Sequence, residues 1–425
     1  MKKALFLLIL ILLTNSLLHS QTPVLQLTEL LKEKNYAAAI TLGTTACNEN
    51  PTDAELHFLT ATAFSENYQF ERAKYYALKS TTLNAENKSY QIFLAEIYTK
   101  LSDFGNAEKM YEKMLETDST NRFLLISYTS VLLKKEDYKK AIINYEKIVK
   151  SDTTNIFFLK QLAFCYSKVE NYNAAIDAFR KAFYLNNTDI FVMQSLAFLY
   201  DKTEHSDWAR NMLTLCIEQD STNLVLYRKR SMYGFKAKMY LDAIKDNMYI
   251  IQQDTNYRTS QILEEIGAAY YHTNQYDSAL NYLEQAFAIE LQTLEINHNT
   301  CYYLALTHKN LEHYDEALRF FRLAITSGTP PYLSLFFNQI AETYHISDRR
   351  EQAIAAYKEA LVVEPANSIV NYKIAIIYDE MNNYKTALEY YEKYLSNALP
   401  YEVEYIEFAQ KRIMKMKEEL HFLGQ

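Results

Sequence analysis

Phe104-Gly105-Asn106-Ala107, Tyr138-Lys139-Lys140-Ala141 and Tyr172-Asn173-Ala174-Ala175 write one pattern three times, 34 residues apart: an aromatic residue three positions before an alanine. Tyr36-Ala37-Ala38-Ala39 is the same pattern two intervals earlier. Followed along the chain, the alanine recurs as Ala39, Ala73, Ala107, Ala141, Ala175, Ala209, Ala243, Ala279, Ala317, Ala353 and Ala387. The steps are 34 six times, then 36, 38, 36 and 34. The position three before is Tyr or Phe in nine of the eleven copies, with Ser206 and Arg350 the exceptions. A fixed period of this length marks a repeat architecture and takes precedence over local propensity.

Twelve residues ahead of the alanine stands a small residue, as in Ala61, Ala95, Ala163, Ala197, Gly267, Ala305 and Ala375. Three further on comes an aromatic such as Phe64, Tyr98, Tyr166, Tyr200 or Tyr270. Positions i, i+3 and i+4 share one helix face, so the small residue and the aromatic line one stripe. The repeat alanine stands in the same relation to Tyr111, Tyr145, Phe179, Phe321, Tyr357 or Tyr391, four residues later. Each copy is therefore an antiparallel helix pair that buries its apolar stripes only when stacked on its neighbours.

The pattern resembles the tetratricopeptide repeat family, a 34-residue helix–turn–helix with small and aromatic residues at these offsets. The likeness covers about residues 20 to 401, and the family's terminal proline is matched at Pro51 and Pro365 and nearly at Pro330 and Pro400. Elsewhere Asp-Ser-Thr-Asn (118–121 and 220–223) or Asp-Thr-Thr-Asn (152–155) stands there. These turns read as helix ends with an N-cap; a calcium loop would need a mid-loop glycine and a glutamate at its twelfth position. The resemblance implies an all-α fold, a right-handed superhelical solenoid of antiparallel helix pairs. Tyr401–Leu420 reads as one further, capping helix, with residues 402–425 as cap and tail.

Six glycines and six prolines in 425 residues support this. Average usage predicts roughly fifty such residues, and sheet-rich folds consume them at each reversal. No Gly-x-Gly cradle, Walker loop or Gly-x-Ser-x-Gly elbow exists. The histidines form no metal-binding pair on one helix face, and no serine or cysteine has an evident base partner. His308 reads as a satisfied core residue, Glu264-Glu265 as carboxylates diverging by about 100° onto solvated faces, and Trp208 as core compensation for Ser206. The expectation is a non-enzyme with no cofactor and no metal.

At the N-terminus Lys2 and Lys3 precede an apolar run, Ala4–Leu13, too short to span a bilayer. Residues 1–20 read as a signal peptide, cleaved after Ser20 or after Ser16, with an uncleaved membrane anchor as the alternative. The expected location is periplasmic, outer-membrane-associated or secreted. The net charge of −8 disfavours nucleic acid as a partner. Cys47, Cys165, Cys216 and Cys301 lie far apart and read as buried thiols rather than a disulfide framework.

Repeat seven, about 224–257, departs from the pattern with Arg230 at the usual leucine and Gly234 at the usual aromatic, and the next three connections are longer. One reading is two subarrays, residues 21–257 and 258–401; the other is simple tolerance of loop insertions.

Numbered so that the repeat alanine is twentieth, the fifth, ninth and thirteenth positions of each first helix should line the concave groove of such a solenoid. In repeats five to seven they are Lys160, Phe164 and Lys168; Gln194, Phe198 and Lys202; Arg228, Met232 and Lys236. Two cationic or amide rows flanking an apolar row suit an extended acidic peptide or a C-terminal carboxylate. The alternative is that Phe164 and Phe198 pack between helices and the lysines are solvated. A second inward cluster is Tyr271, Tyr302, Tyr303 and Tyr372. The expected function is a protein–protein interaction scaffold of the cell envelope, or else a peptide-binding carrier or chaperone for secreted chains.

Overall fold

The computed structural model describes residues 22–327 and 333–422. The expected signal peptide, residues 1–20, lies outside the described residues. The described residues hold twenty-three α-helices, one 3-10 turn and no strand. Two compact units divide the chain, Met1–Thr203 and Glu204–Gln425.

The first unit contains five helix pairs. They are α1 (Pro23–Lys32) with α2 (Tyr36–Glu49), α3 (Ala54–Glu66) with α4 (Phe70–Leu83), α5 (Lys88–Lys100) with α6 (Phe104–Thr117), α7 (Arg122–Lys134) with α8 (Tyr138–Ser151), and α9 (Ile156–Lys168) with α10 (Tyr172–Leu185). It ends with α11 (Ile190–Lys202). The second unit begins with α12 (Ser206–Gln219). Its pairs are α13 (Leu224–Lys236) with α14 (Tyr240–Gln253), α15 (Ser260–His272) with α16 (Tyr276–Thr293), α17 (His298–Asn310) with α18 (Tyr314–Thr326), α19 (Leu333–Ile346) with α20 (Arg350–Val363), and α21 (Ser368–Glu380) with α22 (Tyr384–Asn397). A longer helix, α23 (Val403–Phe422), follows. The fold is thus an all-α array of antiparallel helix pairs, in phase with the repeat alanine. The junction expected at residues 257–258 falls inside the second unit, beside the 3-10 turn Thr255–Tyr257.

Every repeat alanine is at most 2% exposed, because the first helix of the pair crosses there with no room for a larger side chain. Gly267 takes the close approach further. A Cβ there would lie 2.5 Å from Leu283 Cγ and 3.2 Å from the Ala279 carbonyl oxygen. Gly267→Ala is therefore expected to destabilise the protein by about 1–3 kcal/mol, although alanine is the better helix former by about 1 kcal/mol. The urea midpoint of the full chain reads the effect; an unchanged or raised midpoint would show that α15 and α16 can move apart.

The turn inside each pair has a constant backbone. Lys34, Tyr68, Ser102, Glu136, Glu170, Glu204, Lys238, Asn274, Glu312, Asp348 and Asn382 all adopt left-handed φ values of 57–63°. Each stands five residues before the repeat alanine, and none is a glycine. At the first, Lys34 N–H donates to Leu31 O and Asn35 N–H to Leu30 O, and nine further turns repeat this pair of bonds. That is the Schellman termination, which returns two orphan carbonyls to the ladder.

Helix starts divide two ways. Asn35, Asp103, Asp137, Asn171 and Asn383 cap their second helices with a side-chain oxygen. The others instead carry Glu71, Asp207, Asp242, Asp277, Asp315 or Glu351 in the first turn, where the helix dipole favours a negative charge. Asn121, Asn155 and Asn223 cap the helices that follow the Asp/Ser/Thr/Asn turns, as the capping reading required.

All four cysteines are buried and free, and burial pushes the Cys165 and Cys216 thiols up to about 11. Two expectations fail. Trp208 fills no core but stands 50% exposed near the ring of His205. His308 is buried and stacked on Phe320, yet its Nδ1 has no partner within the protein. Position and burial were legible there; hydrogen-bond satisfaction was not.

Candidate interaction surface

On α9 the buried face is Phe158, Leu159, Leu162, Ala163 and Cys165. One turn round, Phe157 is 59% and Phe164 40% exposed, and Lys168 is exposed below them. The arrangement repeats on α11 with Phe191, Phe198 and Lys202, and on α7 with Phe123, Ile126 and Lys134. The three helices belong to the first unit. Residues seven and eleven apart on a helix return to one face, as do residues three and eleven apart on α7, so each set is a single stripe. The lysine ends over the ring: Lys168 Nζ lies 5.4 Å from the Phe164 centroid and Lys202 Nζ 5.6 Å from that of Phe198.

Between α9 and α11 the stripes enclose a depression of about 410 Å³ lined by Phe157, Lys160, Gln161, Phe164 and Phe191. Lys160 does not reach freely into it. Its Nζ binds Asp189 at 2.9 Å and lies 5.0 Å from the Phe191 ring centroid. Asp189 also accepts from Val192 N–H as the N-cap of α11. Burial raises the Asp189 carboxyl, but the Lys160 bond and the backbone donors outweigh this and hold it below its ordinary value. Lys160 therefore straps α9 to the start of α11. Gln194 is half-buried.

The remaining expected residues lie in the second unit on α13. Arg228 forms a two-pronged pair with Glu265, which also accepts from Asn247 at 3.3 Å. Met232 is 43% exposed, and Lys236 is exposed with its Nζ 5.8 Å from the Tyr233 ring centroid. The structure thus separates the nine: Phe164, Phe198, Met232 and the three thirteenth-position lysines present themselves to solvent, whereas Lys160 and Arg228 are spent on neighbouring repeats. Of the tyrosine cluster, Tyr271, Tyr302 and Tyr303 meet at 5.8 Å spacings. Tyr372 instead packs with Tyr394 and Tyr405.

Glu264 corrects the reading of paired solvated carboxylates. It is 8% exposed, and burial, then Glu265 and Glu290, push its carboxyl up to about 7 against the opposing pull of Arg228.

Phe123, Phe157 and Phe191 were missed at the second position, although they recur at the same 34-residue step and share the face of the ninth. Lys100 and Lys134 likewise extend the thirteenth-position lysines to five consecutive repeats. Among the described residues no group of three or more His, Cys, Asp or Glu could hold a metal ion, and no helix is long and apolar enough to cross a membrane.

Among family models, that of "Anaphase-promoting complex, cyclosome, subunit 3" matches residues 102–182. Tetratricopeptide repeat models match residues 259–300, 298–327 and 347–401. No curated protein matches the chain. Of the solved structures, Naa15/Naa10 bound to HypK-THB is similar at 12% identity and TM-score 0.48; the alignment covers 88% of this chain and 63% of that one. The Cut9-Hcn1 hetero-tetramer of the APC/C is similar at 12% identity and TM-score 0.41, covering 93% of this chain and 97% of that one. A tetratricopeptide repeat protein from Parabacteroides merdae is similar at 15% identity and TM-score 0.36, with 60% and 98% covered. Eleven in-phase copies of the 34- to 38-residue pattern, the helices that follow it and the matched models together make this a tetratricopeptide repeat protein, with residues 102–182 like the anaphase-promoting complex subunit.

Proposed function

We propose that the chain is a non-enzymatic scaffold that holds an extended acidic segment of a partner protein along the exposed face of α7, α9 and α11. The observation that carries this is the set of exposed phenylalanines, Phe123, Phe157, Phe164, Phe191 and Phe198, beside Lys134, Lys168 and Lys202 on a chain of net charge −8. Contiguous exposed apolar surface rimmed by charge marks a binding region. Lysines placed against it add charge-assisted bonds to carboxylates, and an extended segment offers alternate side chains to such pockets. The depression between Phe157 and Phe191 supports the second reading, a carrier that takes one apolar side chain at a time from many peptides. Stoichiometry separates the two: a scaffold co-purifies with one partner at a fixed ratio, a carrier with mixed peptides.

Export to the cell envelope is the companion proposal, supported by Lys2-Lys3 and the run Ala4–Leu13. N-terminal sequencing of the purified protein tests it, with Gln21 expected as the first residue and Met1 contradicting cleavage.

Reversal of Lys134, Lys168 and Lys202 to Glu is expected to weaken partner capture from an envelope extract at least about tenfold at low salt, with less difference at high salt, where exposed charges are screened. Capture equal to that of the native chain would remove this face from consideration.

A further inference from the structure

Helix α23 continues the repeat. Ala409 stands 34 residues after Ala375 and is likewise fully buried, so α23 occupies the register of a first helix. Its buried side, Ala409, Ile413 and Met416, packs with Tyr391 and Tyr394 of α22. In most complete pairs the position one residue before that small residue is inaccessible, as in Leu94, Leu162, Leu196, Ile266, Leu304 and Ile374. In α23 it is Phe408, 49% exposed, next to Tyr405 at 48%. The rings rest on Tyr372 at 6.0 and 5.2 Å, and no second helix covers them among the described residues.

The charges beside these rings are ordered. Glu404, Phe408, Lys411 and Lys415 recur at steps of four, three and four and so share one face. The acid lies on the N-terminal side of Phe408 and the lysines on its C-terminal side, and all three charged residues are exposed. A like helix running antiparallel, with its Phe408 beside this Phe408, would set each Glu404 against the other's Lys411. A two-fold interface requires such self-complementarity, since the same patch serves both sides.

We propose that this face of α23 is a self-association surface, on which α23 of a second copy lies antiparallel across Phe408 and Tyr405. The observation behind it is independent of the face on α7, α9 and α11, so failure of either proposal leaves the other standing.

Sedimentation equilibrium of the full chain, from about 1 to 100 µM at low salt, tests it. The native protein is expected to show a monomer–dimer equilibrium. Glu404→Lys, an exposed change, should weaken it at least about tenfold by setting lysine against lysine, and adding Lys411→Glu on the same chain should restore it. Phe408→Ser should also yield monomer, with circular dichroism checking that the fold persists. A native chain monomeric throughout the range, or a dimer indifferent to Glu404→Lys and Phe408→Ser, would overturn the proposal and leave the face to another chain.

Discussion

Arg230→Met and Asp246→Ala, made singly, are each expected to lower the unfolding free energy by about 3–5 kcal/mol. Repeat seven places Arg230 where most other copies carry an apolar residue, and the guanidinium answers Asp246 of α14 with bonds of 2.9 and 2.6 Å. Thr214 accepts a third bond, and Tyr227 lies under the cation at 5.3 Å. The two side chains are only 16% and 7% exposed, so water screens the pair little. Removing one member strands the other charge in the core; removing both does not. The double variant Arg230→Met with Asp246→Ala, which returns this pair to the apolar pattern, should recover most of the loss. Denaturant unfolding of the four proteins gives the coupling energy. A double variant as unstable as the sum of the singles would mean that the pair is no unit.

Glu264→Gln is expected to stabilise the protein at pH 8 and to make little difference near pH 4.5. The carboxyl is pushed from its ordinary value near 4.5 up to about 7 by burial first and by Glu265 and Glu290 next. Between those values the folded state holds a proton that the unfolded state has released. Stability from this group is therefore full below about pH 4.5 and is lost as pH rises through about 7. At about 1.4 kcal/mol per pH unit the loss comes to roughly 3 kcal/mol. The amide cannot ionise and should remove that slope. Thermal unfolding of both proteins at pH 5 and pH 8 tests the sign: a difference independent of pH, or a variant less stable at pH 8, would contradict it.

The fold was legible because its cause is local and repeated. An alanine with no room around it, written eleven times in phase, leaves one way to stack the helices. The turns were not legible from composition. Glycine is scarce, yet a left-handed residue recurs in every turn, and in ten of them two backbone bonds hold it whatever the side chain. The exposed stripe was half legible: Phe164, Phe198 and the lysines follow from helix phase, while Phe157 and Phe191 lie two turns earlier. What helix phase could not supply was partners. Lys160 meets Asp189 and Arg228 meets Glu265, each in the following repeat, and a single helix says nothing of what its neighbour offers. The same gap misplaced Glu264, whose divergence from Glu265 was right but whose surroundings were not.

The left-handed turns have a practical consequence. Because main-chain bonds fix them, Ser102, Glu136 and Glu170 share one backbone geometry at equal sequence intervals within the first unit. Probes attached at these three sites would form a molecular ruler, in which differences in signal report position along the array rather than local conformation.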